Sequence, residues 1–181
     1  STSSAAIWFS RSGAACGATI TGLDLSRNLD PGALAALREL WLSHHVLVFP
    51  GQSLTDEDLE RITLGFGDFS DDPFIEPIEG HKHVIAVERR ADETGPIFAE
   101  AWHSDWSFLP TPPDGTLLYG IAIPPNGGDT LFANQQLAWT SMPADLQRQY
   151  QEVVAVHSSR RAYPPDGFYG EKDSDRSMVI R

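Results

Sequence analysis

Trp102-His103-Ser104-Asp105-Trp106-Ser107-Phe108 is the stretch from which the rest of the chain is read. It sets a histidine and an aspartate two positions apart inside an aromatic frame. On an extended strand, residues two apart project to the same face. His103 and Asp105 can then offer one imidazole nitrogen and one carboxylate oxygen to a single metal ion. Sites of two histidines and one carboxylate that leave coordination positions open suit non-haem Fe(II), which uses those positions for oxygen and a substrate. Trp102, Trp106 and Phe108 can supply the dry wall such a site needs. His-x-Asp is nevertheless short and common, and alone it is only a hypothesis.

The totals narrow the alternatives. A length of 181 residues fits one domain, 1–181. The formal charge is −12, from 25 acidic and 13 basic residues, so the chain repels phosphate backbones and anionic membrane surfaces. Nucleic acid and membrane are therefore not expected partners. No apolar run approaches membrane-spanning length. The single cysteine, Cys16, cannot form an internal disulfide, which fits a reducing, cytoplasmic setting.

Outward from the motif, the N-terminal side alternates strand and helix signals. Gly17 to Leu25 reads as a strand. Asp30-Pro31 supplies an N-cap and a first-turn proline, and Leu34, Leu37, Leu40 and Trp41 carry a helix from about 31 to 43. Val46 to Phe49 is a short buried strand. Thr55 caps a second helix whose acids at 56–58 complement its dipole. His44-His45 is a poor chelate, because adjacent side chains on extended backbone diverge. His81 and His83 share a face at the entrance to a strand over 84–87, with no third ligand nearby.

On the C-terminal side strands dominate. Residues 116–123 form the clearest strand pattern, 129–132 return as another, and 153–157 make a third. Asn134 and Thr140 are candidate caps, and Pro143 opens a helix running to about Tyr150. Residues 160–176 read as a loop and 177–181 as the start of a strand. The pattern predicts an α+β domain built on a sandwich of antiparallel strands. The strands are too few for a closed eight-stranded jelly roll, so the 181 residues are expected to be part of a larger folding unit.

Five stretches carry a resemblance. They are Gly17-Ala-Thr-Ile-Thr-Gly-Leu-Asp-Leu25, His45-Val-Leu-Val-Phe-Pro-Gly-Gln52, Phe66-Gly67, Trp102-His-Ser-Asp105 and Gly127-Gly-Asp-Thr-Leu-Phe-Ala-Asn134. In order and spacing they resemble the taurine / 2,4-dichlorophenoxyacetate dioxygenase family (TauD/TfdA) of Fe(II)- and 2-oxoglutarate-dependent oxygenases. Trp-His-Ser-Asp followed about two dozen residues later by Gly-Gly-Asp-Thr is far more specific than His-x-Asp. The resemblance implies a double-stranded β-helix, or jelly roll, with flanking helices, and His103 and Asp105 as two iron ligands. It implies that Thr130 hydrogen-bonds a carboxylate of 2-oxoglutarate. It further implies hydroxylation of a small organic substrate by O2, with decarboxylation of 2-oxoglutarate to succinate and carbon dioxide. Trp106 and Phe108 are candidate pocket walls, and equally plain core aromatics.

Two departures qualify these expectations. The family uses a second, distal histidine ligand and an arginine for the far carboxylate of 2-oxoglutarate, and the resemblance puts both beyond position 181. His157 falls too early to match that ligand, and Arg176 and Arg181 fall before that arginine. The chain is therefore expected to lack the C-terminal part of the jelly roll. On the substrate side, Asp72, Ile75 and Ala99 stand about where taurine-oxidising members place a His, a Tyr and an Asn. An aspartate there would repel a sulfonate and suits a neutral or amine-bearing substrate, unless Asp72 only turns the chain before Pro73. Two other readings stay open: a degenerate, non-catalytic jelly-roll binding protein, and a cupin-like protein using another metal. Self-association into a homo-oligomer is not decided by the sequence.

Overall fold

The computed structural model of the protein describes residues 7–70, 75–95, 99–159 and 179–180. The chain divides into two compact units, Ser1–Phe66 with Leu118–Val153, and Gly67–Leu117 with Val154–Arg181.

In the first unit, strands β1 (Trp8–Arg11), β2 (Ala18–Thr21) and β3 (Leu47–Val48) form one sheet in that order. β1 and β2 are antiparallel, with Trp8 opposite Thr21 and Arg11 opposite Ala18. β3 runs parallel to β2, so the chain must cross over between them. Helix α1 (Pro31–His44) makes that crossover. Asp30 caps it, its carboxylate accepting from the Ala33 amide at 2.9 Å, and Pro31 stands in the first turn where its missing N–H costs nothing. Ala33 and Leu37 are its buried residues, and Ala18 and Ile20 are buried on β2.

Helix α2 (Asp56–Phe66) opens on a reciprocal cap. The Asp58 amide donates to Thr55 Oγ1 at 3.2 Å, and the Thr55 amide donates to Asp58 Oδ2 at 3.1 Å. The two helices meet closely: a Cβ on Gly65 would come within 2.7 Å of Leu34 Cδ2. Arg38 Nη1 donates to the Phe66 carbonyl at 2.7 Å, and Trp41 meets Phe66 edge-on at 5.9 Å. Gln52 clamps the loop after β2, accepting from the Leu25 amide and donating to the Leu23 carbonyl. Arg61 holds the same loop through the Leu25 and Arg27 carbonyls.

Asp58 also accepts from Arg61 at 2.6 Å, and that bond, with the Thr55 amide, holds its carboxyl below the ordinary aspartate value. A depressed folded pKa contributes stability above the unfolded pKa and loses it as pH falls through the folded one. Asp58→Asn is therefore expected to flatten the acid limb of the stability curve below the usual carboxylate range and to leave the shape near neutrality unchanged. Urea melts across that range read this directly, and parallel acid limbs for the two proteins would remove Asp58 as a contributor.

Farther along this unit, Tyr119 Oη accepts from the Leu54 amide at 3.1 Å. Asn134 Oδ1 caps α3 (Gln135–Thr140) by accepting from the Leu137 amide, while its Nδ2 donates to the Ala15 carbonyl at 2.8 Å. Helix α4 (Ala144–Tyr150) follows Pro143, which stands at the N-cap rather than inside the first turn.

In the second unit, Phe108 is the buried centre of a cluster with Ile75, Trp106 and Leu109. Phe69 stacks on His83 with ring centroids 4.1 Å apart. β4 (His157–Ser158) pairs antiparallel with β5 (Val179–Ile180), His157 opposite Ile180.

Several sequence expectations change here. Residues 84–87, 116–123 and 129–132 carry no β-ladder among the described residues, and the strand expected over 153–157 shrinks to 157–158. A strand exists only where a neighbour accepts and donates its backbone hydrogen bonds, and β-propensity alone supplies no neighbour. Leu118, Ile121, Ile123, Leu131 and Phe132 are correspondingly exposed. The described residues thus combine helices with a three-stranded sheet and a two-stranded ladder, an α+β arrangement without a closed jelly roll among them. The loop expected at 160–176 lies outside the described residues.

Candidate metal centre

The decisive motif does not lie on an extended strand. Asp105 to Phe108 form a turn, with the Leu109 amide donating to the Trp106 carbonyl at 2.9 Å and Trp106 in the left-handed region at φ 44°. Such a conformation is uncommon for a bulky side chain and is held only where surrounding packing over-determines it. The Phe108 cluster, which includes Trp106, provides that packing. The expected approach of the two side chains is present: His103 Nε2 stands 3.1 Å from Asp105 Oδ1.

The hydrogen bonds around the pair assign the proton. His103 Nδ1 lies 2.7 Å from the Ala101 carbonyl oxygen, which can only accept, so Nδ1 carries the hydrogen. In a neutral ring Nε2 is then a lone pair, and an ionised Asp105 offers only lone pairs. Two such lone-pair atoms 3.1 Å apart can share one cation. Two donors each about 2.0–2.2 Å from one ion and separated by this distance subtend close to a right angle, as neighbouring octahedral positions do. Metal-ligating histidines commonly donate their other ring N–H in this way, to a carbonyl or carboxylate. Both side chains remain accessible, at 48% and 43% of their full exposure. These two residues fit a divalent metal. Among the described residues no group of three or more His, Cys, Asp or Glu could hold one.

Thr130 belongs to the first unit, where it is exposed and follows Gly127 and Gly128 at φ 77° and 73°. Two successive left-handed residues make that turn a glycine requirement. Phe108 is buried, whereas Trp102 is 71% exposed. Trp106 is packed, and its indole N–H is buried with no hydrogen-bond partner among the described residues. Asp72 lies outside the described residues; Ile75 packs on Phe108.

Histidines set aside at the sequence level have local roles. His44 ends α1 and stands against Phe9 at 5.6 Å, His45 caps the helix, and His83 is stacked on Phe69. His157 Nδ1 lies 2.8 Å from Ser107 Oγ in the turn that carries the motif. One contact was not foreseen: Thr116 Oγ1 donates to Asp105 Oδ2 at 2.7 Å. Its only signal in the sequence is a hydroxyl at the start of an apolar run after Pro112-Pro113-Asp114-Gly115. The Ala101 carbonyl had no side-chain signal at all.

Comparison with known proteins gives a consistent result. The family model for taurine catabolism dioxygenase TauD, TfdA family matches residues 9–179. The chain is similar to an alkylsulfatase from Acinetobacter baylyi, 32% identical over 148 residues that cover 81% of this chain and 45% of that protein. It is similar to an alpha-ketoglutarate-dependent sulfate ester dioxygenase from Pseudomonas putida, 28% identical over 148 residues, covering 81% and 48%. Among solved structures, a taurine dioxygenase from Burkholderia xenovorans aligns with a TM-score of 0.68 at 30% identity, covering 83% of this chain and 53% of that one. The chain spans about half the length of these relatives.

Proposed function

This chain belongs to the taurine catabolism dioxygenase TauD, TfdA family, and from that premise we propose that it forms part of an Fe(II)- and 2-oxoglutarate-dependent dioxygenase that hydroxylates a small organic substrate. The observation that supports the reading is the 3.1 Å approach of His103 Nε2 to Asp105 Oδ1. Bound Fe(II) and 2-oxoglutarate supply the oxidative chemistry: O2 and 2-oxoglutarate are consumed, succinate and carbon dioxide are released, and one oxygen atom enters a substrate C–H bond.

What the chain itself contributes is holding and orientation. His103 and Asp105 are two of the iron ligands, and a third donor comes from outside the described residues. His103 keeps its hydrogen on Nδ1, against the Ala101 carbonyl, so that Nε2 remains a lone pair for the metal. The Phe108 cluster keeps the motif turn rigid. The family's double-stranded β-helix is the fold this reading implies for the whole protein. No helix among the described residues is long and apolar enough to cross a membrane. The sulfate-ester and alkylsulfate names of two relatives make sulfate esters the first substrate class to screen. Asp72 argues for including neutral and amine-bearing compounds in the same screen.

The test is substrate-stimulated release of succinate from 2-oxoglutarate by the intact protein with added Fe(II). Absence of succinate with every substrate class, despite a bound metal, would instead favour the non-catalytic binding protein. Thr130 is assigned to the 2-oxoglutarate carboxylate. A hydrogen bond to a charged group is worth about 1.5–3 kcal/mol, so Thr130→Val is expected to raise the KM for 2-oxoglutarate roughly 10–100-fold. An unchanged KM would release Thr130 from that role.

A further inference from the structure

We propose that Thr116 is a positioning residue for Asp105, dividing the work of its two carboxylate oxygens so that one oxygen alone meets the metal. The proposal rests on the dioxygenase reading and adds a residue that neither the motif nor the resemblance assigns.

The geometry is asymmetric. Oδ1 faces His103 Nε2 at 3.1 Å, while Oδ2 accepts the Thr116 hydroxyl at 2.7 Å. An oxygen holding a short hydrogen bond from a hydroxyl is less available to a cation than its twin. Asp105 is therefore set to bind through Oδ1 only. A carboxylate that swung round to bind through both oxygens would occupy one of the open positions that the cosubstrate and O2 need.

Asp105 needs such a partner. Its side chain is 43% exposed, and the turn that follows it fixes the backbone but not the carboxylate. Thr116 is suited to the task. Its β-branched side chain has few χ1 choices. It also follows Pro112-Pro113-Asp114-Gly115, where two prolines restrict the backbone leading to it. The arrangement is the carboxylate counterpart of the Ala101 carbonyl on His103: each ligand has its metal-facing atom free and its other polar atom held.

The experiment compares wild type, Thr116→Val, Thr116→Ser and His103→Ala in the intact protein. Mn(II) binding is followed by electron paramagnetic resonance, and melting temperature is measured without metal. Loss of an outer-shell partner lowers metal affinity about 10–100-fold. Thr116→Val, which keeps the shape and removes the hydroxyl, is expected to show that loss with an unchanged metal-free melting temperature. Thr116→Ser is expected to restore affinity close to wild type. Wild-type affinity in Thr116→Val overturns the proposal, and so does equal loss in the valine and serine variants. His103→Ala separates the two levels. If it abolishes Mn(II) binding, the metal pair stands whatever Thr116 does. If it binds as well as wild type, the metal pair falls and the proposal with it.

Discussion

Replacing His103 by alanine is expected to abolish stable divalent-metal binding and substrate-stimulated succinate release together. The loss in turnover should exceed the roughly 10–100-fold that removal of an outer-shell partner costs, because a ligand itself is gone. Alanine leaves Asp105 as the nearest donor, and a single carboxylate facing water holds a transition metal weakly. The fold should survive, since the His103 side chain is about half exposed and its polar contacts stay within its own motif and the neighbouring Ala101 carbonyl. The measurement is succinate formed from 2-oxoglutarate with added Fe(II), alongside a thermal melt. A variant that turns over as wild type does would falsify the assignment of His103 and leave the turn around Asp105 without a chemical role.

The second large effect concerns stability. Leu37 is fully buried on α1, the helix that makes the parallel crossover between β2 and β3. Leu37→Ala removes three carbons from a packed site, at a cost of about 2–5 kcal/mol. Domains are stable by about 5–15 kcal/mol, so this is a substantial share. At about 2–4 °C per kcal/mol for a chain of this size, the melting temperature should fall by roughly 4–20 °C. Leu42, on the same helix but 59% exposed, provides the control: Leu42→Ala should stay within about 0.5 kcal/mol of wild type. Equal shifts in the two variants would show that burial on α1 is not what holds the first unit together.

The two halves of the chain were unequally legible. Asp30-Pro31 and Thr55 announced helices that the structure places within a residue or two, because a cap is satisfied by atoms three positions away. The apolar run at 116–123 was a clear strand by pattern and carries no ladder among the described residues, because its hydrogen bonds depend on a neighbour that local sequence does not specify. At the candidate site, His103 and Asp105 were readable as a pair, and their side chains do approach one another. Alternation on a strand was expected to align them; no β-ladder runs through 102–104 among the described residues, and a turn with Trp106 in a left-handed conformation begins at Asp105.

Residue types were enough to identify the family, to pair His103 with Asp105 and to place the helices that carry their own caps. All of these are encoded in residue types and short spacings. It took the folded chain to show that Nδ1 of His103 meets the Ala101 carbonyl, that Thr116 takes the second oxygen of Asp105, and that Phe108 is core. Each of those depends on where the folded backbone brings an atom whose partner no pattern of residue types identifies.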